Sequence, residues 1–109
     1  DIREAPSLKV VSRLLEEGAL LRLYDPQAMN EFQRYFPEIS PGLIYCASPE
    51  ETVLGSEALL VLTEWPEFTS IDLALLKDTM ALPVIVDGRN CLDREEATRL
   101  GFEYYGTGR

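Results

Sequence analysis

Between residues 8 and 17 the apolar positions Leu8, Val11, Leu14 and Leu15 fall on one stripe at helical spacing, with Pro6 ahead and Gly18 at the natural stop. Ala19–Tyr24 is a short apolar run broken only by Arg22, and predicts a strand. Asp25-Pro26 then offers an N-cap followed by Pro at the first helical position. The helix it opens runs to about Phe36, with Met29, Phe32 and Phe36 on one side. Pro37 to Gly42 is a loop and Leu43–Cys46 a brief strand. Ser48-Pro49-Glu50-Glu51 has the form of a capping box, since Glu51 lies three positions after Ser48.

The second half repeats this rhythm. Ala58–Leu62 is a continuous apolar run, of the kind that is buried on both faces of a parallel sheet. Thr63 to Phe68 is a loop containing Trp65-Pro66, and Ile71–Met80 is a helix that offers Leu75, Leu76 and Met80 to the core. Pro83–Val86 is another buried strand, ending in Asp87-Gly88-Arg89. Asp93 caps a short acidic helix that Gly101 terminates, and Phe102–Tyr105 is the last strand. Helix and strand alternate throughout, which requires crossover connections and predicts a mostly parallel sheet with helices on both faces, the α/β class. The chain opens on a helix, without Met, where a preceding strand is expected. In a doubly wound sheet that strand would be central, so the sequence reads as a fragment of a longer protein with an unpaired sheet edge, prone to swapped or self-associated assembly.

Composition narrows the chemistry. At 109 residues the length fits one domain, 1–109, able to bury a core without metal or disulfide staples. The absence of His excludes Ser-His and Cys-His catalysis and His-ligated metals from this chain alone. Two cysteines, Cys46 and Cys91, are too few for a four-cysteine zinc site or a disulfide scaffold, so no metal is expected, and their sparseness leans toward a cytoplasmic setting. Ten basic against 19 acidic residues give a net charge of −9, which argues against a nucleic-acid partner. No apolar run reaches membrane-spanning length and no basic-then-apolar leader opens the chain. A small phosphorylated ligand stays open, because one or two well-placed arginines can hold a diphosphate despite net negative charge.

Open parallel sheets bind ligands beyond the carboxyl ends of their strands, which directs attention to five segments: 1–7, 25–26, 47–48, 63–68 and 87–94. Arg89, after an apolar strand, could present its two-pronged donor set to a diphosphate, although Asp-Gly by itself favours a plain turn carrying a surface arginine. Arg3, just before the first helix, reads equally as an anion contact at a helix N-terminus and as a surface pair with Glu4. Asp25 is better read as a cap than as a ribose-binding acid, and no G-x-G-x-x-G accompanies it, which makes the chain a poor dinucleotide domain. Trp65 and Phe68 read as packing groups, the two cysteines as small apolar residues, and Asp93–Glu96 as a solvated helix start.

Five segments appear together in one order: Asp-Ile-Arg-Glu-Ala-Pro (1–6), Leu-Tyr-Asp-Pro (23–26), Leu-Thr-Glu-Trp-Pro-Glu-Phe (62–68), Val-Asp-Gly-Arg-Asn (86–90) and Gly-Phe-Glu-Tyr-Tyr-Gly-Thr-Gly-Arg (101–109). Over nearly its whole length the chain resembles the C-terminal, UDP-binding domain of the UDP-glucose/GDP-mannose dehydrogenase family. The Thr-Glu-Trp and Asp-Gly-Arg-Asn forms look more like the UDP-glucose branch.

The resemblance implies a Rossmann-like three-layer αβα domain, with its first central strand and a Lys-bearing loop missing ahead of Asp1. Ala5 stands where Ser is usual. It further implies an enzyme that oxidises a UDP-sugar alcohol twice with two NAD to the uronic acid, working as a homo-oligomer. A separate Rossmann domain would bind NAD, a helical domain would dimerise, and a cysteine in a Gly-Gly-x-Cys-Phe-Pro-Lys-Asp motif ahead of this domain would be the nucleophile. Neither Cys46 nor Cys91 matches that motif, so no catalytic residue is expected here and the chain alone should be inactive. Arg89 would contact the UDP-sugar, reaching across a subunit boundary, and Arg3 would approach NAD from the far side of the cleft. The alternatives are the equivalent domain of a UDP-N-acetylmannosamine or GDP-mannose dehydrogenase, and a non-catalytic, receiver-like α/β domain that binds partners through one face. The latter needs a phosphorylatable Asp mid-sheet and a Lys after a late strand, where this chain has Arg89.

Overall fold

The computed structural model describes residues 6–37 and 41–108, and the chain divides into two compact units, Asp1–Ser48 and Pro49–Arg109. Arg3 lies outside the described residues. The first unit contains α1 (Pro6–Glu16), β1 (Leu21–Leu23), α2 (Met29–Tyr35) and β2 (Leu43–Tyr45). The second contains α3 (Pro49–Val53), β3 (Leu59–Val61), a 3-10 turn over Pro66–Ser70, α4 (Leu73–Thr79), β4 (Val84–Asp87), α5 (Arg94–Arg99) and β5 (Glu103–Gly106). The alternation of helix and strand is the one the apolar pattern predicts, and every strand pair among the described residues is parallel.

In the first unit β1 and β2 pair with Leu21 opposite Leu43 and Leu23 opposite Tyr45. Val11 of α1, Phe32 of α2, Leu43 and Cys46 are buried, so the apolar stripe of each helix contributes a core residue. Gly18 ends α1 with φ +86°, a backbone shape that L side chains resist, while the amides of Gly18 and Ala19 satisfy the last carbonyls of Leu15 and Leu14. Asp25 corrects the sequence reading in one respect. Its Oδ1 accepts from the amides of Gln27 and Ala28, both at 2.8 Å, so it closes a turn over Pro26–Ala28 and the helix begins only at Met29. A short polar side chain that can bond its own backbone two residues on competes with helix initiation in this way.

The second unit is a three-stranded parallel sheet in the order β3-β4-β5. Leu59 pairs with Ile85, Val61 with Asp87, and Asp87 in turn with Gly106. Asp72 caps α4 by accepting from the Leu75 amide at 3.1 Å, and Asp93 caps α5 by accepting from the Glu96 amide at 3.1 Å. Both devices satisfy amides that a helix leaves without an internal partner. The core comprises Val53, Leu73, Leu76, Ile85, Ala97 and Phe102, with Leu76 and Ile85 almost wholly enclosed.

Two burial expectations change here. Leu75, offered to the core by its apolar character, is 47 % exposed, and the inward positions of α4 are Leu73 and Leu76. Along β4, Ile85 and Asp87 are 0 % exposed but Val86 is 39 % exposed, so this strand alternates instead of being buried on both faces. Strand order gives a reason. The strand order moves in one direction, β3 to β4 to β5, and crossovers of the usual right-handed kind then put both connecting helices on one face of the sheet. No helix among the described residues is long and apolar enough to cross a membrane.

Candidate functional site

Because β3, β4 and β5 run parallel, their carboxyl ends open on one edge, and the segments that follow, 62–65, 88–92 and 107–108, gather there. Asp87, the last residue of the middle strand, organises that edge. Its side chain is fully enclosed, and its Oδ1 accepts from the amides of Arg89 (3.3 Å) and Cys91 (3.2 Å). Its Oδ2 accepts from the Leu92 amide (2.9 Å) and from the Tyr104 hydroxyl (2.7 Å) on β5. A buried carboxylate is tolerated only when its oxygens are met by donors, and here four donors meet them. The loop from Gly88 to Leu92 is thus wrapped around an anion that belongs to the sheet.

Gly88 has its own reason. Its amide donates to the Val61 carbonyl of β3 at 2.9 Å, and a Cβ at this position would sit 3.3 Å from that same oxygen. A larger residue would crowd that carbonyl, and loop or strand would have to give by a few tenths of an ångström. Asn90 adopts φ +52°, the left-handed region that Asn enters more readily than other non-glycine residues. Its side-chain amide donates to the Thr107 carbonyl (2.7 Å) and accepts from the Thr107 amide (2.8 Å), while Thr107 Oγ1 donates to the Gly88 carbonyl (3.0 Å).

Arg89 stands between these anchors with its side chain 43 % exposed, at the carboxyl edge of the sheet. The guanidinium donates from one terminal nitrogen to Glu64 Oε1 at 2.7 Å, Glu64 itself lying in the loop after β3 with 61 % exposure. A pair this open to water is worth at most about 1 kcal/mol, so the arginine is held lightly and can be taken over by a stronger anion. Planar, permanently charged and mounted on a rigid loop, it can present a two-pronged contact to phosphate oxygens.

The other sequence candidates sort differently. Phe68 is buried and Trp65 half-buried at the start of the 3-10 turn, in keeping with packing roles. Cys46 is a core residue of the first unit. Cys91 is half-buried, and its thiol titrates above the ordinary value, through burial first and then the charges of Asp87 and Glu64, against the opposing pull of a backbone hydrogen bond and Arg89. A protonated thiol is a poor nucleophile. In a Cys46→Ser background, iodoacetamide should therefore alkylate Cys91 more slowly in the folded chain than in urea. The folded rate should keep rising beyond the pH at which an ordinary thiol levels off; levelling at the ordinary pH would contradict the shift. The sign is that of an acid raised by folding, so the stability tied to the neutral thiol is present below its unfolded pKa and fades as pH rises above it.

Asp87, Glu64, Tyr104, Asn90 and Thr107 were not singled out by sequence reasoning as parts of a site. One signal was available for Asp87: an acid closing an apolar strand and followed by a loop whose amides need acceptors. The same geometry speaks against a phospho-acceptor role for Asp87, the acid of the middle strand, since both its oxygens are already engaged inside the protein.

Comparison with known proteins agrees with the motif order. Residues 1–94 match the UDP-glucose/GDP-mannose dehydrogenase family, UDP binding domain. A UDP-glucose 6-dehydrogenase of Bacillus subtilis is 40 % identical over 109 residues, covering 100 % of this chain and 24 % of that protein. That of Rhizobium meliloti is 36 % identical over 109 residues with the same coverage. The chain therefore spans about a quarter of the length of these relatives. Among solved structures, a UDP-D-ManNAc dehydrogenase from Pyrococcus horikoshii superposes with a TM-score of 0.59 at 19 % identity, over 92 % of this chain and 29 % of that one, a likeness of fold. With the Rossmann-like α/β architecture and the ordered motifs in place, the chain belongs to the UDP-glucose/GDP-mannose dehydrogenase family, as its UDP-binding domain.

Proposed function

We propose that this chain is the UDP-sugar-binding part of an NAD-dependent UDP-glucose 6-dehydrogenase, and that Arg89 grips the diphosphate of the nucleotide sugar. The observation that carries this reading is the placement of Arg89. It is a half-exposed guanidinium on a loop locked to the sheet by Asp87, at the carboxyl edge where parallel sheets take ligands, lightly held by Glu64. The relatives matched over the full length of the chain bear that enzyme name.

In the complete enzyme, UDP-glucose and two NAD would give UDP-glucuronate and two NADH. NAD supplies the hydride acceptor when bound. The chain has no G-x-G-x-x-G, so NAD is assigned mainly to another part of the protein, with Arg3 proposed to approach it from this side. What the residues described here do is bind and orient. A nucleotide fixed by its diphosphate leaves the sugar carbon at a set distance from the reacting groups, and positioning of this kind lowers a barrier by removing motional freedom before the reaction.

The test is calorimetric titration of the complete protein that carries this domain with UDP and, separately, with uridine. UDP should bind at least about tenfold more tightly than uridine, because charge-assisted hydrogen bonds to phosphate are lost with the diphosphate. Equal affinity for both, or no binding of UDP, would overturn the reading.

A further inference from the structure

The three hydrogen bonds between Thr107 and the Arg89 loop have no role in building the core. They join segments 17 and 19 residues apart at an exposed edge, and they bracket a single residue. On one side of Arg89 the carbonyl of Gly88 is held by Thr107 Oγ1; on the other the amide side chain of Asn90 is held by both backbone groups of Thr107. The reciprocal pair made by Asn90 imitates a rung between two strands, and it holds Asn90 in a left-handed conformation that costs a non-glycine residue free energy. The matched family region ends at residue 94, so Thr107 lies beyond it while Arg89 and Asn90 lie within.

We propose that Asn90 and Thr107 are positioning residues for Arg89: together they clamp the loop after β4 in the shape that presents the guanidinium to a nucleoside diphosphate. This rests on the reading of Arg89 as the diphosphate contact. The physical basis is preorganisation. A loop free to move must be ordered when the ligand binds, and that ordering subtracts from affinity. Asp87 holds the loop from beneath through the Arg89 amide, and the Thr107 bonds hold it from the open side. Each bond is partly in competition with water and adds little to stability, yet together they restrict where the Arg89 side chain can start.

The chosen variant is Asn90→Gly, since glycine accepts φ +52° without strain while the two side-chain bonds to Thr107 are removed. Calorimetry with UDP is run on the complete protein that carries this domain, in four forms: unaltered, Asn90→Gly, Arg89→Ala and the double variant. Asn90→Gly should weaken UDP binding by about three- to tenfold, the range expected for one or two lost hydrogen bonds and a loosened loop. In the Arg89→Ala background the same change should have no effect, because a positioning residue has nothing left to position. Thr107→Val, which removes the Oγ1 donor alone, should give a smaller loss of the same kind. Additive losses would overturn the proposal by showing that Asn90 acts without Arg89, as would an unchanged affinity in Asn90→Gly when Arg89→Ala is impaired. If Arg89→Ala binds UDP as the unaltered protein does, the reading of Arg89 falls, and this proposal falls with it.

Discussion

Asp87→Ala is expected to lower the unfolding free energy of the chain by about 3–5 kcal/mol, read from urea titration by circular dichroism. The substitution strips acceptors from three loop amides and the Tyr104 hydroxyl, the Leu92 amide being the buried one of the four, and it empties the fully enclosed space of the carboxylate. Hydrogen bonds to a charged group contribute more than neutral ones, and donors orphaned in the interior bear their desolvation cost in full. Against a total stability of about 5–15 kcal/mol for a small domain, a loss of this size can leave much of the protein unfolded. Asp87→Asn, which keeps the volume but turns one acceptor into a donor facing donors, should cost about 2 kcal/mol. Tyr104→Phe, which removes one of the four donors to the carboxylate, should cost least. A change below about 1 kcal/mol in Asp87→Ala would show that the carboxylate is not the anchor described.

Arg89→Ala should behave in the opposite manner, leaving the fold intact and taking the ligand away. Its ion pair with Glu64 is open to solvent on both sides, so its loss should move the urea midpoint hardly at all. UDP affinity should fall at least about tenfold, corresponding to the roughly 1.5–3 kcal/mol of a hydrogen bond to a charged partner. Arg89→Lys should recover only part of this, because an ammonium group supplies charge without the planar fork. Raising the salt concentration should weaken UDP binding to the unaltered protein more than to Arg89→Ala, since screening acts on the charge that the variant lacks. In the complete enzyme the same substitution should raise KM for UDP-glucose. Unchanged affinity or unchanged KM would remove Arg89 from the site.

The periodicity of the sequence was enough to read the order of elements, because amphipathic stripes and apolar runs act locally and each is bounded by its own stop signal. Gly18 and Asp93 did what their residue types suggest. Legibility failed where a residue's role depends on a partner distant in the chain. Asp87 looked like half of a turn pair, since nothing in its neighbourhood announces Tyr104 seventeen positions later. Leu75 looked like core because it is apolar, whereas the side of α4 that meets the sheet is decided by the crossover, which places Leu73 and Leu76 inward. Asp25 was rightly read as a cap, but the choice between capping a turn and capping a helix depended on how its carboxylate was shared between Gln27 and Ala28. For Arg89 the residues alone favoured a bland turn; the ordered motifs around it raised the sharper reading, and the carboxyl-edge location gives that reading a physical setting.

The Asp87 carboxylate ties the arginine loop to β5 as much as to its own strand, through Tyr104. Anyone transplanting the Asp-Gly-Arg-Asn segment into an unrelated parallel sheet would need to carry the aspartate, the neighbouring tyrosine and the threonine that follows it as one cassette. Moved without them, the segment would keep its spelling and lose its shape.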